Sequence, residues 1–175
     1  DNCILLSDRD HRLVVLNEKL ELVWEQEVED GSQPLVYDMD GDGSQEVLMG
    51  YSIFDPAGHR LLDAGAFLGD QCNGVMVYEL MEGERITPCL VYAAGDWGLV
   101  YFDLDGNLLK QHTMGHVRYF SVANFNLENP GLEIVTSNRW GSDGLIHMTD
   151  ASGLISGRLM SPSGPARCEP VNWKG

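Results

Sequence analysis

The chain has 175 residues, of which 43% are hydrophobic and 22% are charged, a balance typical of a folded domain and not of a disordered segment. Its formal net charge of −16 argues against binding to nucleic acid or to anionic membranes, because both are bound through Lys and Arg. No apolar run approaches the roughly 18 residues of a membrane-spanning helix, so we expect no membrane span. The acidic surface suits divalent cations, or serves solubility alone.

Short apolar segments bounded by Gly, Asp and Asn follow one another along the chain. They are rich in Val, Leu, Tyr and Phe, which is typical of strands, and no stretch keeps a helical period of 3.6 residues. We therefore predict an all-β protein whose strands include residues 3–7, 12–16, 20–24, 34–37, 46–50, 74–79, 88–92, 99–102, 120–123, 133–136 and 145–148.

Four similar turns punctuate these strands and begin at Asn17, Asp55, Asp103 and Asp150. They recur at intervals of about 40 to 50 residues, the period of four-stranded β-propeller blades. We predict a partial β-propeller of about three and a half blades from a ring of seven or eight. The expected blades span residues 1–30, 31–70, 71–115 and 116–165, and the next begins within 166–175. Because blades bury their faces on one another, a longer natural chain or further copies should complete the ring.

The fourth predicted strand is followed by the acidic loop Asp38-Met-Asp40-Gly-Asp42-Gly43-Ser44-Gln-Glu46, and this loop resembles the calcium hairpin of FG-GAP-type propeller repeats. Its oxygen donors stand at alternate positions, and calcium takes six to eight hard oxygen ligands. The expected Ca²⁺ ligands are the side chains of Asp38, Asp40, Asp42 and Glu46 and the carbonyl of Ser44. The alternative is an acidic Asp-Gly hairpin without an ion. Residues 124–133 form a degenerate copy in which amides replace two of the carboxylates.

Polar and aromatic residues cluster at the predicted blade junctions, where inner strands of a propeller face one funnel. Trp stacks on sugar rings, Arg pairs with carboxylates, and His or Tyr can move protons, so the clusters suit an acidic sugar. Each also has a structural explanation, such as packing between blades for Trp97 and Trp140. The candidate site residues are Gln71, Asn73, Asp96, Trp97, His116, Arg118, Tyr119, Arg139, Trp140, Asn172 and Trp173.

The stretch from Gly115 to Glu133, followed by Arg139-Trp140-Gly141 and the turn at Asp150, resembles β-propeller polysaccharide lyases of the rhamnogalacturonan and rhamnose–glucuronate type. The resemblance implies a secreted or periplasmic enzyme that cleaves a rhamnose- and uronate-containing polysaccharide by β-elimination. It implies a catalytic group formed by His116, Arg118, Tyr119 and Arg139. Substrate contacts would come from the remaining candidates, including Gln71, Asn73, Asp96, Trp97, Trp140, Asn172 and Trp173.

One position departs from the lyase pattern. Those enzymes often carry a His where this chain has Gln71, and a glutamine amide cannot act as a base. The second hypothesis is therefore a non-catalytic, FG-GAP-like extracellular propeller that binds sugars or proteins. The cysteines leave two alternatives as well, because Cys72 and Cys89 could pair or remain buried thiols.

Overall fold

The computed structural model describes residues 3–8, 12–28, 34–65, 68–161, 164 and 167–171. Within these ranges the secondary structure consists of strands and turns, with no helical residue, which confirms the all-β prediction. The strands form four antiparallel sheets in which neighbours in the sheet are neighbours in sequence. Across the same ranges there is no helix long and apolar enough to cross a membrane.

The first compact unit, Asp1–Val75, contains two of these sheets. One has three strands within the described residues: β1 (Ile4–Ser7), β2 (Arg12–Leu16) and β3 (Leu22–Glu27). The second has four: β4 (Leu35–Tyr37), β5 (Glu46–Met49), β6 (Ser52–Phe54) and β7 (Arg60–Asp63). Their facing side chains form one apolar core, in which the ring centroids of Trp24 and Phe54 are 6.0 Å apart.

The second unit, Met76–Gly175, has the same plan. One sheet contains β8 (Gly74–Glu82), β9 (Arg85–Ala93), β10 (Leu99–Asp103) and β11 (Leu108–His112). The other contains β12 (Val117–Ala123), β13 (Glu133–Asn138), β14 (Leu145–Thr149) and β15 (Ile155–Met160). The core of this unit joins Tyr78 and Tyr101 from the first sheet to Val117 and Ile134 from the second.

The repeated turn closes the last hairpin of every sheet. In each copy the side-chain oxygen of the first residue accepts backbone N–H groups two and four positions later, as Asp55 Oδ1 does from Ala57 (2.9 Å) and His59 (2.8 Å). The copies at Asn17, Asp103 and Asp150 make the same pair of bonds. A short polar side chain at one position thus fixes the turn locally.

Two cysteines and one histidine are buried inside the protein. Cys72 and Cys89 are buried as thiols and do not form a disulfide. His147, in β14, is only 1% exposed, and neither of its ring nitrogens has a hydrogen-bond partner among the described residues. Burial lowers the pKa of His147 below its ordinary value of 6.5, and the positive charges of Arg158 and His112 add to the effect.

His147→Leu should therefore stabilise the protein, by about 1 to 3 kcal/mol, because it removes a buried polar ring without partners. The wild type should also lose stability as the pH falls below 6.5. In that range the His147 imidazole binds a proton in the unfolded chain but stays neutral in the folded protein, so protonation favours unfolding. Urea unfolding at pH 8 and pH 5 measures both effects. His147→Gln should remove the acid sensitivity without the gain at pH 8. Equal pH dependence in wild type and both variants would contradict this account.

Candidate functional site

Three loops of the second unit meet at one edge of its two sheets. They are the turn between β9 and β10, the residue before β12, and the loop between β13 and β14. The N–H of Val117 donates to the carbonyl of Gly95 (3.0 Å), and the N–H of Arg139 donates to the carbonyl of His116 (2.9 Å). These backbone hydrogen bonds bring together side chains that are far apart in sequence.

The turn between β9 and β10 presents Asp96 and Trp97 to solvent. Gly98 closes it at a φ of +86°, and a Cβ there would lie 1.9 Å from the carbonyl oxygen of His112, so a larger residue cannot take this position. Trp97 is 41% exposed, and its carbonyl accepts a hydrogen bond from Gln111 Nε2 (3.0 Å). The turn therefore holds its two exposed side chains on a rigid base.

His116 links this turn to the loop after β13. Its Nδ1 lies 2.8 Å from Asp96 Oδ1, and its ring meets Trp140 edge-on with centroids 4.5 Å apart. His116 is only 5% exposed, whereas 79% of the Asp96 side chain is exposed. When Nδ1 carries the proton donated to Asp96, Nε2 of the neutral ring is the remaining acceptor.

Trp140 is the centre of the arrangement. Its φ of 53° lies in the left-handed region, where a bulky residue is strained, and its N–H donates to Asp143 Oδ1 at 2.6 Å. The ring is 54% exposed. The guanidinium carbons of Arg118 and Arg139 lie 5.7 Å and 5.3 Å from its centroid, within the range of cation–π interaction.

Tyr119 stands beside Arg118 on β12. Its ring centroid is 5.8 Å from the guanidinium carbon of Arg118 and 5.7 Å from that of Arg167. Hydrogen bonding from Arg118 lowers the pKa of the Tyr119 phenol, and Arg167 lowers it further. Sequence reasoning missed Arg167, because it lies in an irregular segment with no motif around it. We refer to Arg139, Trp140, Arg118, Tyr119 and Arg167 as the Arg–aromatic series.

Four other predicted contact residues lie outside the described part of the second unit. Gln71 and Asn73 belong to the end of the first unit; the N–H of Gln71 donates to Asp70 Oδ1 (2.7 Å), and Asn73 is buried. Asn172 and Trp173 fall outside the described residues. The structure thus brings six predicted residues into one neighbourhood, which we call the Trp140 cluster: Asp96, His116, Arg118, Tyr119, Arg139 and Trp140.

The acidic loop between β4 and β5 brings three carboxylates together. Asp38, Asp40 and Asp42 each place one oxygen within 4.8 Å of the other two. They also shape the loop: Asp38 accepts the N–H groups of Gly41 (2.8 Å) and Gly43 (3.1 Å). Each carboxylate oxygen has more than one lone pair, so these bonds leave acceptor capacity. The donor set fits calcium, which takes hard oxygens at flexible geometry.

Glu46 has a different place from the aspartates. It is only 5% exposed, and its Oε2 accepts the N–H of Met39 at the start of the loop (2.8 Å). Glu133 does the same for the degenerate loop, where it accepts the N–H of Phe125 (2.8 Å) and is fully buried. Each glutamate links the two ends of its own loop through a hydrogen bond. This holds both for the loop with three aspartates and for the degenerate loop.

The chain was compared with known proteins. No protein-family model matches it, and no curated protein sequence matches it significantly. Solved structures do match. The rhamnogalacturonan lyase YesW aligns with a TM-score of 0.62 and 22% identity over 83% of this chain and 26% of its own. The V. cholerae biofilm matrix protein Bap1 aligns with a TM-score of 0.71 and 16% identity, over 93% and 27%.

A third structure, the Dos1 propeller, aligns with a TM-score of 0.56 and 10% identity, over 91% of this chain and 44% of its own. The chain spans about a quarter of the length of YesW and of Bap1. At these identities the likenesses show the fold. Together with the antiparallel meander sheets they confirm the prediction of a partial β-propeller, whose fold is shared with rhamnogalacturonan lyases.

The strain at Trp140 can be measured with two substitutions that both remove the ring. Trp140→Gly should be more stable than Trp140→Val by about 1 to 2 kcal/mol, because only glycine adopts the left-handed backbone without a Cβ clash. Chemical unfolding of the two variants gives the difference. Equal stabilities would mean that the loop between β13 and β14 does not hold this backbone conformation in solution.

Proposed function

We propose that this chain is part of a secreted or periplasmic polysaccharide lyase that binds a rhamnose- and uronate-containing glycan at the Trp140 cluster. One observation carries the proposal: the exposed Trp140 ring has the guanidinium carbons of Arg118 and Arg139 within 5.7 Å of its centroid, and it contacts the ring of His116, which pairs with Asp96. An aromatic face with flanking guanidinium groups can stack on a sugar ring and pair with its carboxylate. The fold shared with rhamnogalacturonan lyases supports the substrate class.

The reaction would be β-elimination. Arg118 and Arg139 pair with the uronate carboxylate, which stabilises the negative charge that develops when the C5 proton leaves. A base takes that proton, a double bond forms between C4 and C5, and the C4–O bond breaks. The departing sugar oxygen then gains a proton from the conjugate acid of the base or from water.

Tyr119 is the better base of the two candidates. Its pKa is lowered by the neighbouring arginines, so its phenolate forms at lower pH than that of an ordinary tyrosine, and it adjoins the arginine that would hold the carboxylate. His116 is buried between Asp96 and Trp140, which suits the positioning of Trp140. This assignment does not require a histidine at position 71.

The lyase proposal predicts an unsaturated uronate product, which absorbs in the ultraviolet. On an alternating rhamnose–galacturonate polymer, Tyr119→Phe should lower kcat by at least about 100-fold with little change in KM, because it removes the base. Activity of the wild type should rise with pH through the lowered tyrosine pKa. Arg118→Ala should move that rise to higher pH. Full activity of Tyr119→Phe would overturn the assignment of the base.

A binding-only propeller is the second candidate. The alignment with the biofilm matrix protein Bap1 covers 93% of this chain, and Gln71 departs from the lyase pattern. Under this alternative the Trp140 cluster would bind the same acidic glycan, and Trp140→Ala would weaken binding. No unsaturated product would form from any uronate polymer.

The acidic loop is proposed as a structural calcium site. Asp38, Asp40 and Asp42 would supply carboxylate oxygens, with the Ser44 carbonyl and Glu46 as the further expected ligands. The ion would neutralise three negative charges that the loop holds close together. It would brace the β4–β5 hairpin and take no part in the elimination.

Calcium should therefore raise the melting temperature, and a chelator should lower it. An ion at a hundredfold excess over its Kd stabilises the folded state by about 2.7 kcal/mol. Asp40→Asn together with Asp42→Asn should abolish this response in a calorimetric scan. Glu128→Gln, in the degenerate loop, is the matched control and should keep the response. A calcium shift that survives the double substitution would place the ion elsewhere.

A further inference from the structure

The Arg–aromatic series contains one more arginine, Arg167, than the two that the proposed function uses. Its contacts run from Arg139 to Trp140, Arg118, Tyr119 and Arg167, with guanidinium-to-ring distances of 5.3, 5.7, 5.8 and 5.7 Å. The chain contains 11 Lys and Arg against 27 Asp and Glu. Three of those few cations alternate here with two aromatic rings.

Two acids that contact residues of the Trp140 cluster have hydrogen-bond partners of their own. Asp96 Oδ1 lies 2.8 Å from His116 Nδ1, and Asp143 Oδ1 accepts the N–H of Trp140 at 2.6 Å. These hydrogen bonds partly compensate the negative charges of Asp96 and Asp143. The series therefore presents positive charge and aromatic faces next to each other, which is the combination that binds an acidic sugar.

Arg118 contacts both rings, which divides the series into two parts that share it. One part consists of Trp140 with Arg139 and Arg118, and the other of Tyr119 with Arg118 and Arg167. We propose, building on the function above, that each part holds one carboxylate of the same glycan, so that Arg167 forms a second anion subsite beside Tyr119. The ligand is then a chain with at least two uronates.

A simpler role for Arg167 would be to tune Tyr119 without touching the glycan. The two roles differ in what they do to binding. A subsite increases the affinity for a ligand with two carboxylates and not for one with a single carboxylate. A residue that acts only through Tyr119 changes the pH dependence of the reaction and leaves both affinities unchanged.

The test uses calorimetric titration of the intact protein with the disaccharide and the tetrasaccharide of an alternating rhamnose–galacturonate polymer, which carry one and two carboxylates. The tetrasaccharide should bind the wild type more tightly. Arg167→Ala should weaken the tetrasaccharide about tenfold, the loss of a charge-assisted hydrogen bond, and should not change the disaccharide. Arg139→Ala should weaken both ligands.

Two control variants test this interpretation. Arg167→Lys keeps the charge and should recover part of the lost affinity. Arg85→Ala removes an exposed arginine outside the series and should change neither ligand. Unchanged tetrasaccharide affinity in Arg167→Ala, or equal losses for both ligands, would overturn the second subsite while the first stands. If neither ligand binds the wild type, the proposed function itself fails, and the subsite with it.

Discussion

Two backbone hydrogen bonds bring the segments that carry the Trp140 cluster together. The N–H of Val117 on Gly95 joins β12 to the turn of the neighbouring sheet, and the N–H of Arg139 on His116 anchors the loop after β13. Both bonds use only main-chain atoms, so they do not depend on which side chains the loops carry. The backbone therefore holds the loops in place, and the exposed side chains that the loops carry can differ without loss of these two bonds.

Under the proposed function, the charge of the chain would give the Arg–aromatic series its selectivity. With a net charge of −16, most of the surface repels a polyanionic glycan, and the arginines around Trp140 and Tyr119 are where attraction can exceed repulsion. Salt weakens both effects over a Debye length of roughly 10 Å at 0.1 M. In the proposed complex, the protein would thereby favour one docking position over non-specific adsorption along the polymer.

Local chemistry explains which elements the sequence predicts. The turns at Asp55, Asp103 and Asp150 are recognisable because one carboxylate accepts nearby N–H groups without help from the rest of the fold. Inner strands such as β9 and β13 are recognisable because they are apolar and buried. The outer strands β7, β11 and β15 are mostly exposed and lack a clear alternation, so no prediction included them.

The contacts of the candidate site can also be separated into those that the sequence predicts and those that it does not. His116 and Trp140 could be predicted as neighbours because propeller strands return to one edge with every repeat. Arg167 could not, since its contact with Tyr119 is made by an irregular segment whose path depends on tertiary packing. The relation of Gln71 to the cluster is likewise not determined by sequence spacing. Contacts that follow the repeat can be predicted, and contacts that depart from it cannot.

The buried glutamates Glu46 and Glu133 have a consequence for how such blades diverge. Each closes its loop through main-chain N–H groups, so the shape of the hairpin survives when the acids in front of it are exchanged for amides, as in residues 124–133. A duplicated blade can then drift between ion-holding and ion-free versions one substitution at a time. No intermediate along that path would need to lose its hairpin, so the proposed cation could be lost from one blade without the loss of its loop.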